Sequence, residues 1–243
     1  MIALQSFPQP IKDKVTECFR LLSQALVCEA KAYRKMFPDE HFYVGALVTD
    51  SCFSCIHFAL NSEEFFEEAK AGWEPDSFNE PRWMSGEWGA YIDSCLPKED
   101  QAYMSQAYEI MCALDEELDR SLDSTIKESP YFSIMEAVTI QALNDVQNEI
   151  RTILQNEELL LFVTMTDDSY TEELENKSFV ALNPTKFHQE FIDRYMTEER
   201  YRAEAEIAWQ SKDYAAYVER MSHIAQPTSL EEKKIEIAKK KTI

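Results

Sequence analysis

Glycine is scarce in this chain: four residues in 243, at positions 45, 72, 86 and 89. A phosphate-binding loop needs closely spaced glycines so that backbone N–H groups can wrap an anion, and neither the Walker pattern nor G-x-G-x-x-G occurs. G-x-S-x-G is missing as well, which removes the nucleophile elbow of the α/β-hydrolases. Basic residues are outnumbered, 24 Lys and Arg against 45 Asp and Glu, for a net charge of −21. That balance argues against a nucleic-acid-binding surface, because phosphate contacts need clustered cations, and against an anionic membrane surface. No apolar run approaches the roughly 18 residues of a membrane span. Met1 is followed by IALQSFPQPIKDK, with no basic segment leading into an apolar one, so no signal peptide is expected. Six cysteines are too sparse for a disulfide scaffold, and without an export signal they are read as reduced thiols in a bacterial-type cytoplasm.

Hydrophobic residues, in contrast, make up 45% of the chain, enough for a packed core. Ile11, Val15, Cys18, Leu22, Leu26 and Tyr33 recur at helical spacing and predict a helix over 9–37, opened by Pro10 and stopped by Pro38. The period then changes. Residues 42–49 read as a strand apolar on both faces, with Val44, Ala46 and Val48 facing one way and Tyr43 and Leu47 the other. A second β-rich run over 52–60, two residues later, predicts an antiparallel hairpin. Asn61-Ser62 followed by Glu63-Glu64 marks a helix start. Residues 73–97 read as a loop carrying Trp73, Trp83 and Trp88. Long amphipathic helices are expected over Lys98–Leu122 and from Pro130. A third strand is expected over Leu159–Met165, a weak fourth over 178–182, and a helix from Asn183-Pro184 to about Tyr195. The fold expected is α/β of the α+β kind: an antiparallel or mixed sheet packed by long helices, over residues 1–195. A C-terminal helical hairpin over 196–243 is expected as an appendage packed on it.

Three segments, FYVGALVTD with the step Asn61-Ser62-Glu63-Glu64, RWMSGEWGAY, and LLLFVTMTDD with SFVALNP, resemble an uncharacterised bacterial family, the domain of unknown function numbered 4303. The resemblance covers about residues 10–195. Ser62 stands where the family has threonine. The family it resembles has no established enzymatic activity, and the resemblance carries an association with immunity proteins against polymorphic toxins.

The chemistry-bearing residue types fall into no catalytic pattern. Cys52 and Cys55 form C-x-x-C, but on a strand such positions point to opposite faces, so they read as packing residues. Asp167, Asp168, Glu172 and Glu173 follow a strand end without calcium-loop spacing and read as a solvated acidic loop. His41, His57, His188 and His223 stand singly, none in H-E-x-x-H. No metal site and no cofactor is expected. Glu87 lies between Trp83 and Trp88, where a carboxylate among aromatics can serve as an acid or base. The plainer reading is that the tryptophans pin the loop while Glu87 caps or pairs. The acidic and aromatic ground of Glu74, Asp76, Glu80, Trp83, Glu87 and Trp88 is nevertheless the first choice for a binding patch. The function expected is that of a non-enzymatic, acidic cytoplasmic binding protein with a basic protein partner, of the immunity kind, and with neither nucleic acid nor membrane. The alternative is a hydrolase or transferase whose site is assembled from distant residues.

Overall fold

A computed structural model describes residues 7–73, 79–88, 98–118, 129–166 and 169–242. The chain divides into two compact units, Met1–Ile192 and Asp193–Ile243.

The first unit is built on two helix–strand pieces set side by side. Helix α1, Gln9–Met36, leads into strand β1, Phe42–Asp50. The hairpin partner β2, Ile56–Ser62, runs directly into helix α2, Glu63–Ala69. Helices α3, Asn79–Trp83, and α4, Lys98–Glu117, follow. Helix α5, Pro130–Leu154, then leads into β3, Leu160–Thr166. Helices α6, Thr171–Leu182, and α7, His188–Ile192, complete the unit. An arginine near the C-terminus of α1 and of α5 clamps the loop that follows. Arg34 donates to the carbonyls of Pro38 (2.9 Å) and Glu40 (3.1 Å) and to that of Leu154. Arg151 donates to Leu159 O (3.1 Å) and Leu182 O (3.2 Å). A fixed fork of donors suits this task because a helix end leaves carbonyls without partners.

The sheet is mixed and three-stranded, in the order β2-β1-β3. β1 pairs antiparallel with β2 and parallel with β3, with Val44 opposite Leu160 and Asp50 opposite Thr166. Its faces bury two separate cores, which is why β1 is apolar in both phases. On one face Leu47, Phe58, Leu161 and Val163 pack with Leu22 and Leu26 of α1, Met111 of α4 and Leu143 of α5. On the other, Val44, Ala46, Val48 and Phe162 pack with Phe66, Trp83, Trp88, Phe179 and Phe191. Tyr43 joins the second group rather than opposing Val44, because the β1–β2 register shifts between Phe42 and Val44. Gly45 sits in close quarters: a Cβ would come within 2.8 Å of Leu60 Cδ2 and 2.9 Å of Phe58 Cζ, so these side chains would have to shift to admit one.

Both free edges of the sheet are stopped by side chains. On β2, Phe58 N–H donates to Glu29 Oε2 and Phe58 O accepts from Tyr33 OH, each at 3.0 Å. On β3, Asn183 Oδ1 accepts from Leu161 N (2.9 Å) while its Nδ2 donates to Leu161 O (2.6 Å). Ser178 Oγ accepts from Val163 N at 2.9 Å.

Four expectations are corrected. Residues 178–182 are helical, the end of α6; Ser178 and Asn183 supply β3's missing neighbour from a helix. Residues 52–55 belong to the turn and β2 begins at Ile56. There Asp50 Oδ1 accepts from Cys52 N (3.2 Å) and Ser54 N (2.6 Å), and Phe53, at φ 52°, drops its ring into the core against Phe132. The helix expected up to Tyr195 is only α7, between 3-10 turns at Thr185–Phe187 and Asp193–Tyr195. α4 ends at Glu117, short of Leu122.

The second unit holds α8 (Glu198–Ser211), α9 (Tyr214–Met221) and α10 (Ser229–Lys241). Thr197, Asp213 and Thr228 cap their N-termini, the last in a capping box with Glu231. Ala205, Tyr217, Met221 and Ala238 form its core.

Candidate functional site

The segment that carries the expected binding patch follows α2. Ser62 Oγ accepts from Phe65 N at 3.0 Å, which fixes the helix start. Phe66 turns into the second core, and Glu63, Glu64, Glu67 and Glu68 face solvent. Acids in a first helical turn suit the positive end of the helix dipole. Glu64 reaches back to the start of β1, accepting from His41 N at 2.8 Å and pairing with the His41 ring. Partial burial raises the Glu64 carboxyl, but the hydrogen bonds from His41 outweigh it and bring it to about 2. The same hydrogen bond to Glu64, with its charge, raises the His41 imidazole above its ordinary 6.5. The signs define a window. Glu64's contribution to stability is present above 4.5 and is lost as pH falls through about 2. His41's contribution is present below 6.5 and is lost as pH rises through its raised value. An NMR titration is expected to place the His41 midpoint above 6.5, and Glu64→Gln to bring it back down. A wild-type midpoint at or below 6.5 would overturn the pairing.

The segment after α2 is nailed to the sheet. Buried Asn61 donates to Tyr43 OH (2.9 Å) and Pro81 O (3.0 Å), and Tyr43 OH donates to Arg82 O (2.9 Å). Arg82 lies over the rings of Tyr43, Phe66 and Trp83, at 4.8, 5.3 and 5.4 Å, with Glu63 at 3.9 Å. Trp83 meets Phe191 edge-on at 5.4 Å, and Trp88 meets Phe162 at 6.1 Å. Both tryptophans are 2% exposed. They therefore hold the segment between them, whose outward groups are Met84, 39% exposed, and Glu87. Glu80 lies in α3; Glu74 and Asp76 lie outside the described residues. Sequence reasoning missed Asn61 and Tyr43, whose polar atoms fix this segment; a buried-strand asparagine next to a tyrosine-bearing strand was the available signal.

The charge of the chain is unevenly divided. Residues 193–243 hold ten acidic and ten basic side chains, so the whole −21 falls on residues 1–192.

The other singled-out groups are scattered. Cys52 is half-buried and Cys55 exposed in the β1–β2 turn, and buried Cys18 has its thiol pushed up to about 12 by desolvation. His188 contacts Asn183 O at 2.8 Å, and His223 stacks on Tyr201 at 4.4 Å. Glu172 and Glu173 occupy the first turn of α6; Asp167 and Asp168 lie outside the described residues. Among the described residues, no three His, Cys, Asp or Glu side chains converge to hold a metal ion, and no helix is long and apolar enough to cross a membrane.

A family model described as Domain of unknown function (DUF4303) matches residues 22–184. The chain belongs to that family. The DUF4303 match runs from within α1 to the residue pair that closes β3's edge, and so takes in the whole sheet, the pinned α3 segment and the acidic α2. Helices α8, α9 and α10 lie beyond it. No curated protein and no solved structure matches the chain.

Proposed function

We propose that this DUF4303 protein works by contact: it captures a protein with a basic surface, in the manner of an immunity protein covering a toxin. The observation that carries this reading is the charge division, with 21 excess negative charges on residues 1–192 beside a balanced C-terminal unit. A field of one sign speeds the encounter with an oppositely charged partner more than it tightens the final complex. A nuclease is the kind of partner that fits, since its groove must be positive to hold phosphate. The contact surface is the glutamate face of α2 together with Met84 and Glu87, set on a segment too firmly packed to need ordering on binding. Rigid presentation favours affinity because little conformational entropy is lost.

The test is the association rate with the native partner against salt. The rate is expected to fall steeply as ionic strength rises, because screening shortens the field to about 10 Å at 0.1 M. Glu87→Lys and Glu67→Lys are expected to slow association while leaving the unfolding midpoint in place. A rate indifferent to salt would sink the steering mechanism, and a native partner with an acidic surface would sink the reading altogether.

A further inference from the structure

A groove of about 430 Å³ lies on the first core's outer side, floored by α1 and walled by α4 and α5. We propose that it is a binding site for a small primary amine carried on an apolar body, such as an arylalkylamine. Its apolar lining comes from Phe19 and Val27 of α1, Tyr103 of α4 and Val146 of α5. Ser23 also lines it, is 7% exposed, and its Oγ has no hydrogen-bond partner. A buried hydroxyl without a partner costs free energy, which a donor or acceptor placed in the groove recovers. Most helical serines relieve this by bonding back to a carbonyl one turn earlier; Ser23 does not.

The charges around the groove select the ligand's sign. Arg20 is held by Glu17, at 2.8 Å and 2.5 Å, and by Gln24 at 2.6 Å. Lys31 faces Glu149 at 3.8 Å. Asp145 lines the same groove, is exposed, and has no ion-pair or hydrogen-bond partner among the described residues. The uncompensated charge is thus a single carboxylate. An ammonium group has three donors, enough for both Asp145 and Ser23, while its apolar body covers Val27 and Val146. The groove's volume lies within the ordinary range of small-molecule sites, roughly 300–1,000 Å³. This site is separate from the α2 surface, and its failure would leave the contact function untouched.

The experiment is a protein-observed NMR titration of the full chain with 2-phenylethylamine, and in parallel with 2-phenylethanol, 3-phenylpropionate and ethylamine. The amine is expected to shift the amides of Ser23, Val27 and Val146 and to bind about tenfold more tightly than the alcohol or the acid, the margin of a charge-assisted over a neutral hydrogen bond. Asp145→Asn is expected to abolish the preference of amine over alcohol, and Ser23→Ala to weaken the amine, both with wild-type spectral dispersion. Equal binding of the three aryl probes, shifts reproduced by ethylamine alone, or no shift at these residues would overturn the proposal.

Discussion

Replacing Trp83 by alanine is expected to lower the stability of the Met1–Ile192 unit by about 3–5 kcal/mol. The indole is 2% exposed and fills the space between Tyr43, at 6.4 Å, and Phe191, at 5.4 Å, both edge-on. Its loss leaves a cavity in a core only a few side chains deep, because the second face of the sheet is covered by short elements rather than long helices. It also takes away one of the three rings under Arg82. Urea denaturation followed by circular dichroism is the measurement, since the substitution removes a fluorophore. A loss below about 1 kcal/mol would mean that the segment is not held as described. Glu87→Lys is the matching control: it is exposed, so stability stays and only the approach of a charged partner changes.

The second large effect is expected at Asn183. Asn183→Leu keeps the side chain's heavy-atom count and branching but leaves both the N–H and the C=O of Leu161 without their partners, at about 1–3 kcal/mol for each group. The carboxamide also donates to Phe179 O at 2.9 Å, so the substitution loosens the end of α6 as well. Denaturation gives the total, and hydrogen exchange localises it, with the Leu161 amide losing most of its protection. A variant whose Leu161 amide exchanges as slowly as in the wild type would show that something other than Asn183 closes this edge.

The long-range architecture was legible where one periodicity ran unbroken. α1 and α5 follow from apolar residues at helical spacing, with prolines at their starts. β1 and β3 follow from short runs apolar in both phases, which only a strand covered on two faces explains. The errors came where a side chain does tertiary work that periodicity does not encode. Phe53 reads as part of a strand, yet it is a turn residue whose ring plugs the first core. Ser178–Leu182 reads as a weak strand, though it meets β3 through Ser178 from inside a helix. The candidate patch was legible as a cluster of acids and tryptophans, but not in which of them face outward. Burial of Trp83 and Trp88 depends on Phe162, Phe179 and Phe191, all distant in sequence. The amine groove was invisible for the same reason: Ser23, Tyr103 and Asp145 come from three helices.

The stoppered sheet has a bearing on how the chain avoids pairing with copies of itself. If the chain works as proposed, by intercepting a partner, it must be made ahead of need and stay monodisperse at whatever level it accumulates. A three-stranded sheet with open margins is a template on which like strands polymerise. Here Glu29 and Tyr33 occupy one margin, and Ser178 and Asn183 the other, so the backbone positions an incoming strand needs at Phe58, Leu161 and Val163 are already taken. Opening the β3 margin by combining Ser178→Ala with Asn183→Leu turns a loss of stability into a route to fibres. Thioflavin-positive material from that double variant, and none from the wild type at the same concentration, is the outcome this closure implies. Resistance to strand-on-strand growth thus rests on four side chains, Glu29, Tyr33, Ser178 and Asn183.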